Sequence, residues 1–323
     1  MNTNLPTKQK LQLFFNENEE FKERRPWFGQ LEPTSTDDFS FAIIGDRCGI
    51  TTPGVFEKGL ELVNQLNPNF IFCVGDLIEG YWENEADVHH EWDYIDNLLS
   101  NLKSPFFHIV GNHDCGNETT VRAWRERKGF EYYAFRYHDV LFLAVNTEEF
   151  PKGIPQDMLA VFREATTNVM REPEKAKEHA ETFFAKAMHG ISEEDMKKVN
   201  VPSISEEQLA FFENVITENK DVKHTFVFMH KPSWKADSTE FQRLEQMLTG
   251  QRYTMVAGHL HQLEVTKKNN QDYIQMGRTG ACWHGDGIGS IDHIVWVTVK
   301  NGVPSSKVID LEAVSNLDRF TIE

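Results

Sequence analysis

Five short stretches of this chain end on side chains that hold protons or metals well. They end at Asp46, at Asp76, at Asn112 with His113, at His230, and at His259 with His261. Each has an ordinary explanation when taken alone: Gly-Asp suits a turn, and a single histidine at a strand end usually serves the core or the surface. Five in succession are hard to assign to turns. Carboxylates, an amide and several imidazoles converging on one crevice would be costly to desolvate unpaired. Divalent cations remove that cost, and a mixture of imidazole and carboxylate suits Zn, Mn or Fe. Two such ions about 3.5–4 Å apart can clamp a phosphoryl group and activate a water for in-line displacement.

Convergence requires the right elements. Apolar runs precede each motif: Phe41 to Ile44, Phe70 to Val74, Phe106 to Val110, Thr225 to Met229 and Tyr253 to Ala257. Continuous β-rich runs of this length fit strands buried on both faces. Between the first two, Thr52 as cap, Pro53 at the first helical position and Phe56, Leu60 and Val63 on one face signal a helix. Residues 84–102 and 119–127 also read as helices. Strand alternating with helix implies parallel βαβ units, whose ligands bind beyond the carboxyl ends of the strands. The polar motifs sit at those ends.

Residues 131–146 resemble a hairpin, and Ser205 with Gln208 forms a capping box ahead of a further helix. The tail from 263 to 312 reads as strands, with Val295, Val297 and Val299 sharing one face. The predicted organisation is an N-terminal helix or arm over 1–37, a main domain over 38–323, and a charged helical insertion at about 151–203.

Composition narrows the function. The chain has 323 residues, 40% hydrophobic and 26% charged, as expected for a globular protein with a substantial core. It contains no apolar run long enough to span a membrane. Its N-terminal stretch has no apolar core with a cleavage site, so a cytoplasmic location is expected. Four cysteines, Cys48, Cys73, Cys115 and Cys282, read as reduced thiols rather than a disulfide framework. A net charge of −17 argues against general binding of nucleic acid or anionic membrane. A phosphate binder with this charge must concentrate positive potential locally, and metal ions would do so.

The motif series resembles the calcineurin-like metallophosphoesterase superfamily. That pattern runs Asp-x-His, Gly-Asp-x-x-Asp/Glu, Gly-Asn-His-Asp/Glu, His and Gly-His-x-His. Here it reads Asp46-Arg47-Cys48, Gly75-Asp76-Leu77-Ile78-Glu79, Gly111-Asn112-His113-Asp114, His230 and Gly258-His259-Leu260-His261. The resemblance implies an α/β fold, a four-layer αββα sandwich of two mixed β-sheets. It further implies that Asp46 and His261 hold one of two divalent metal ions and Asn112, His230 and His259 the other, with Asp76 bridging. His113 would stabilise the transition state or protonate the leaving oxygen, and Glu79 would orient it.

Two departures matter. Cys48 stands where the superfamily has a metal-binding histidine, so either its thiolate binds a thiophilic metal or the first site has one ligand fewer. Gly80 replaces the phosphate-gripping arginine of the phosphoprotein phosphatases. Arg47 could supply a substitute guanidinium to the substrate or form a salt bridge to a neighbouring acid. Among other residues, Trp283, His284 and Asp286 are lesser candidates for lining the pocket, Lys231 and His89 read as surface residues, and His108 as core. The expected activity is metal-dependent hydrolysis of a small phosphoester, by a phosphatase or phosphodiesterase. The competing expectation is a scaffold of the same fold that has lost catalysis and binds protein partners.

Overall fold

The structure, a computed structural model, describes residues 11–16, 20–151, 153–188, 201–311, 314–316 and 320–322. Fourteen strands occur among them. In chain order they are β1 (Leu11–Phe14), β2 (Trp27–Phe28), β3 (Phe39–Ile44), β4 (Phe70–Cys73), β5 (Phe106–His108), β6 (Tyr133–Tyr137) and β7 (Val140–Ala144). Then come β8 (His224–Phe228), β9 (Tyr253–Ala257), β10 (Glu264–Lys268), β11 (Gln271–Gln275), β12 (His293–Lys300), β13 (Val303–Asp310) and β14 (Val314–Asn316). They form two mixed sheets, one ordered β14-β13-β12-β3-β4-β5-β2 and the other β1-β6-β7-β8-β9-β11-β10. The pairs expected from the apolar runs are parallel, β3 with β4 and β4 with β5 in one sheet and β8 with β9 in the other, and β7 with β8 and β9 with β11 are parallel as well.

The sheets face each other across a layer rich in phenylalanine. Phe41, Phe70, Phe72, Phe107, Phe135, Phe142, Phe226 and Phe228 belong to this inner core. Phe72 stacks on Phe228 across the layer with ring centroids 3.8 Å apart. Such rings each contribute about 1.5–3 kcal/mol on burial, which locks the strand ends of one sheet against those of the other. The outer face of the first sheet is covered by α1 (Val55–Leu66), α2 (Glu85–Leu99) and α3 (Glu118–Lys128). The other outer face packs on the helices Glu206–Glu218 and Thr239–Met247. The result is the predicted α/β sandwich with helices on both sides. Val295, Val297 and Val299 of β12 point into the inner core as expected, and Trp296 to the other side.

Several local expectations are corrected. The N-terminal stretch is not a helix in its described part; β1 and β2 extend one edge of each sheet, while residues 1–10 and 17–19 lie outside the described residues. Helix α1 starts after Gly54, whose φ of 83° breaks the helix and excludes Pro53 from it. The Thr52 N–H is instead bonded to the Gly280 carbonyl at 2.7 Å. Ser205 caps its helix through the Gln208 N–H, but the Gln208 carboxamide turns to the main chain of Asn146 and leaves the box open.

Between β7 and β8 lie the two helices of the predicted insertion, α4 (Gln156–Arg171) and α5 (Ala176–Met188); residues 152 and 189–200 of it are outside the described set. The helices Glu206–Glu218 and Thr239–Met247 are α6 and α7. No helix among the described residues is long and apolar enough to cross a membrane.

Two buried histidines couple this fold to pH. Burial pushes His224, at the start of β8, down to about 4, and His293, at the start of β12, down to about 4. The unfolded chain takes up these protons near the ordinary value of about 6.5, so their contribution to stability is full above that pH and is lost as pH falls toward 4. At about 1.4 kcal/mol per unit, each contributes on the order of 3 kcal/mol. Melting temperature is therefore expected to fall steadily between pH 7 and 5. Replacing both by glutamine should flatten that slope, and an unchanged slope would refute their role.

Candidate metal centre

The five motifs leave the carboxyl ends of β3, β4 and β5 in one sheet and of β8 and β9 in the other, so the site lies at the seam between the sheets. The chain turns sharply at each. Asp46, Asp76, His259 and His261 all have left-handed backbones, with φ of 51°, 56°, 76° and 52°. Non-glycine residues rarely adopt this conformation. It costs about 1–3 kcal/mol at each position and persists only where the surroundings over-determine it.

The surroundings here are mainly carboxylates bonded to main-chain N–H groups. The His259 N–H donates to Asp46 Oδ1 at 2.7 Å, and the His113 N–H to Asp76 Oδ1 at 3.0 Å. Asp114 was quoted in the sequence motif without a role. Its fully buried carboxylate accepts the N–H groups of Asp76 at 2.8 Å, Leu77 at 2.9 Å and Gly111 at 2.9 Å, which holds the left-handed turn at Asp76. Gly111 must be glycine, because a Cβ there would lie 2.0 Å from Asp76 Oδ1.

All six predicted ligands come together. Asp76 Oδ2 is 3.1 Å from His230 Nε2, which is 3.0 Å from Asn112 Oδ1. Ligand atoms of Asp76, His230 and His259 lie within 4.8 Å of one another. His261 Nε2 is 3.6 Å from Asp46 Oδ1. Two of the imidazoles are also presented in one way. His230 Nδ1 donates to the Val74 carbonyl at 2.8 Å and His261 Nδ1 to the Cys282 carbonyl at 3.0 Å. A main-chain carbonyl on Nδ1 leaves Nε2 as the free donor of each ring, the usual support for a metal-ligating histidine.

Charge balance points the same way. Burial raises the Asp46 carboxyl well above the usual range, and its Oδ2 is buried without a hydrogen-bond partner. Burial acts on Asp76 too, but the charges of His230 and His113 outweigh it and hold that carboxyl below the usual range. Burial likewise opposes charge on His230, yet Asp76 and Asp46 push it up to about 10. A proton on His230 thus supplies the positive charge these carboxylates need. The donor set of oxygen and imidazole nitrogen fits a divalent cation in that role.

His113 sits at the cavity edge, its Nδ1 donating to a Glu79 oxygen at 2.8 Å. That oxygen is the main-chain carbonyl and not the carboxylate, which corrects the expected contact. The Glu79 carboxylate instead accepts the N–H groups of Gly49, Ile50 and Thr51. It thereby holds Ile50 at a φ of 65°, a conformation foreign to a β-branched residue. Gly80 is explained by crowding: a Cβ there would meet the His113 carbonyl oxygen at 1.7 Å. Tyr81 is a contributor that pattern reading missed. Its hydroxyl accepts the Asn112 Nδ2–H at 2.8 Å, which turns Asn112 Oδ1 toward His230.

Two candidate side chains lie away from the cavity. Arg47 does not line the cavity. The N–H groups of Arg47 and Cys48 both donate to the Asp76 carbonyl, and the Arg47 side chain turns to the Leu77 carbonyl at 2.8 Å and the face of Tyr94. Among the described residues it forms no ion pair, and it turns away from the cavity in which a substrate contact was expected. Cys48 is fully buried, burial raises its thiol well above the ordinary value, and it does not line the cavity. Lys231, expected on the surface, is buried in an ion pair with Glu148 at 2.8 Å. His108 is buried among Phe28, Trp92, Phe106 and Trp124, as a core residue.

The sequence of residues 39–263 matches the calcineurin-like phosphoesterases. The chain belongs to that family. The fold agrees: a dimetal phosphatase from Danio rerio superposes with a TM-score of 0.56 at 11% identity, covering 85% of this chain and 97% of that one. The structure of PhoD superposes with a TM-score of 0.54 at 12% identity, covering 88% of this chain and 72% of that one. No curated protein matches the chain in sequence.

Within this calcineurin-like phosphoesterase, the insertion roofs the site. Ile154 just before α4, Met158 and Phe162 of α4, and Phe183 of α5 line a cavity of about 150 Å³ together with Asp76, Asn112, His113, His259 and His261. Arg163 of α4 donates to the Gly80 carbonyl at 2.5 Å and lies 3.5 Å over the Trp82 ring, which fastens the roof to the motif loop.

Proposed function

We propose that this chain is a metal-dependent hydrolase of small phosphate esters, a phosphatase or phosphodiesterase with a dinuclear centre. The reading is supported chiefly by the convergence of Asp46, Asp76, Asn112, His230, His259 and His261 at one seam, with imidazole Nε2 atoms turned toward carboxylates. In it, Asp46 and His261 would hold one divalent ion and Asn112, His230 and His259 the other, with Asp76 shared between them. Bound there, such ions polarise the phosphoryl oxygens and supply an activated water. Asn112 is kept in its liganding orientation by Tyr81. His113, braced at Nδ1 by the Glu79 carbonyl, presents Nε2 to the ester and in its imidazolium form protonates the leaving oxygen.

The lining of the cavity supports a compact ester as the substrate. Among the described residues no lysine or arginine lines it, and its roof is apolar. Phosphate is therefore gripped from below, while the substituent meets Ile154, Met158, Phe162 and Phe183. A compact ester with an aryl or alkyl substituent suits this shape, and a polyanion does not. Hydrolysis of p-nitrophenyl phosphate or bis-p-nitrophenyl phosphate with added Mn²⁺ or Zn²⁺ tests the reading. Inactivity across a broad phosphoester panel would favour the non-catalytic scaffold.

The roof makes a separate prediction. Phe183→Ala is expected to raise KM for p-nitrophenyl phosphate roughly tenfold, within the range of about 1–3 kcal/mol that apolar pocket contacts contribute. KM for methyl phosphate should stay the same. Equal changes for both esters would remove the roof from substrate selection.

A further inference from the structure

Among the described residues, one cluster of metal-binding atoms shares His261 with the ligand set that the motifs define and adds two residues to it. His261, Cys282 and His284 each offer a ligand atom within 4.8 Å of the other two. The His284 ring stacks on that of His261, with centroids 3.9 Å apart and planes 26° from parallel. All three residues line the cavity. The loop that carries Cys282 and His284 is stitched to the loop that carries Asp46. Thr279 and Ala281 N–H groups donate to the Asp46 carbonyl at 3.1 and 3.0 Å, and the Cys282 N–H to the Gly49 carbonyl at 3.1 Å. Gln262 Nε2 holds the far side through the Gly285 carbonyl at 2.8 Å, and Phe184 of α5 packs edge-on against His284 at 4.9 Å. The loop of His284 is therefore held against the main chain of Asp46, and its ring against His261.

The same end of the site lacks a ligand, because the first motif has Cys48 in place of histidine and Cys48 does not line the cavity. We propose that His284, turning out of its stack on His261, supplies the missing imidazole to the cation held by Asp46 and His261, with Cys282 as an adjacent sulfur donor that makes this position zinc-selective. A soft sulfur beside two imidazoles favours zinc over manganese. The inference rests on the dinuclear reading above and concerns one of its two positions.

Metal content decides it without reference to activity. Purified protein is equilibrated with buffered Zn²⁺ and analysed by mass spectrometry for bound zinc, and with Co²⁺ for its absorption spectrum. Wild type is expected to bind two zinc ions, and Cys48→Ser to behave identically. His284→Ala should lose one ion, or bind it about 10- to 100-fold more weakly, the size of effect expected when a metal site loses a supporting group. Co²⁺ at this position should give a near-ultraviolet sulfur-to-cobalt band that Cys282→Ser abolishes. His284→Gln, with near-ultraviolet circular dichroism compared to wild type, guards against loss by misfolding. Two zinc ions of unaltered affinity in both folded His284 variants would overturn the assignment while leaving the dinuclear reading intact. A missing sulfur band would overturn the Cys282 donor, and a wild type that binds no zinc or manganese would defeat the dinuclear reading itself.

Discussion

Asp76→Asn is expected to lower phosphoester hydrolysis by roughly 10³-fold or more and to leave the protein unable to hold two metal ions. The size follows from the several kcal/mol that metal ions contribute to stabilising transition-state charge, at about 1.4 kcal/mol per factor of ten. Asp76 is the position where the loss should be greatest. Its Oδ2 faces His230 at 3.1 Å while its Oδ1 takes the His113 N–H at 3.0 Å. An amide at this position would retain the shape but remove the charge that balances His230. The check is kcat/KM together with metal stoichiometry. A variant with two tightly bound ions and near wild-type turnover would remove Asp76 from the centre.

His113→Ala should act differently. It is expected to reduce kcat by about 10²–10⁴-fold, the contribution typical of a positioned general acid, with metal content unchanged. The separation is expected because the His113 side chain is tied to the Glu79 carbonyl and not to the candidate ligands. The fall should be smaller for p-nitrophenyl phosphate, whose phenolate leaves readily without a proton, than for an alkyl phosphate. Equal losses on both esters would argue against proton donation. Loss of metal in the variant would instead make His113 part of the cation-binding set.

How much of this could be read from the chain depended on the range of the interaction. The strands carrying Asp46, Asp76, Asn112, His230 and His259 were legible because each apolar run is buried on both faces and ends at a polar turn. Their meeting at one seam followed from parallel pairing. What could not be read was the direction of side chains inside the turns. At Asp46 a left-handed backbone reverses the chain, so Arg47 faces α2 rather than the cavity. Glu79 reaches back to three N–H groups of residues 49–51, a contact set by the fold of two loops and by no local spacing.

Asp114 had a signal in its place directly after Gly111-Asn112-His113, yet only the structure shows four N–H groups converging on it. Tyr81 had none, because its hydroxyl bonds Asn112 across 31 positions. His284 was visible as a residue of a Gly-rich loop, and its stacking on His261 depends on hydrogen bonds between that loop and the one carrying Asp46. The charged insertion gave no sign in sequence that its inner face would be an apolar roof, since Phe162 and Phe183 are spread over two helices.

Anomalous diffraction from crystals grown with Zn²⁺ tests the central claim most directly. Two peaks about 3.5–4 Å apart are expected, one beside Asp46 and His261, the other beside Asn112, His230 and His259, with Asp76 between them. Peaks elsewhere on the protein, or none at the seam between the sheets at saturating metal, would contradict it.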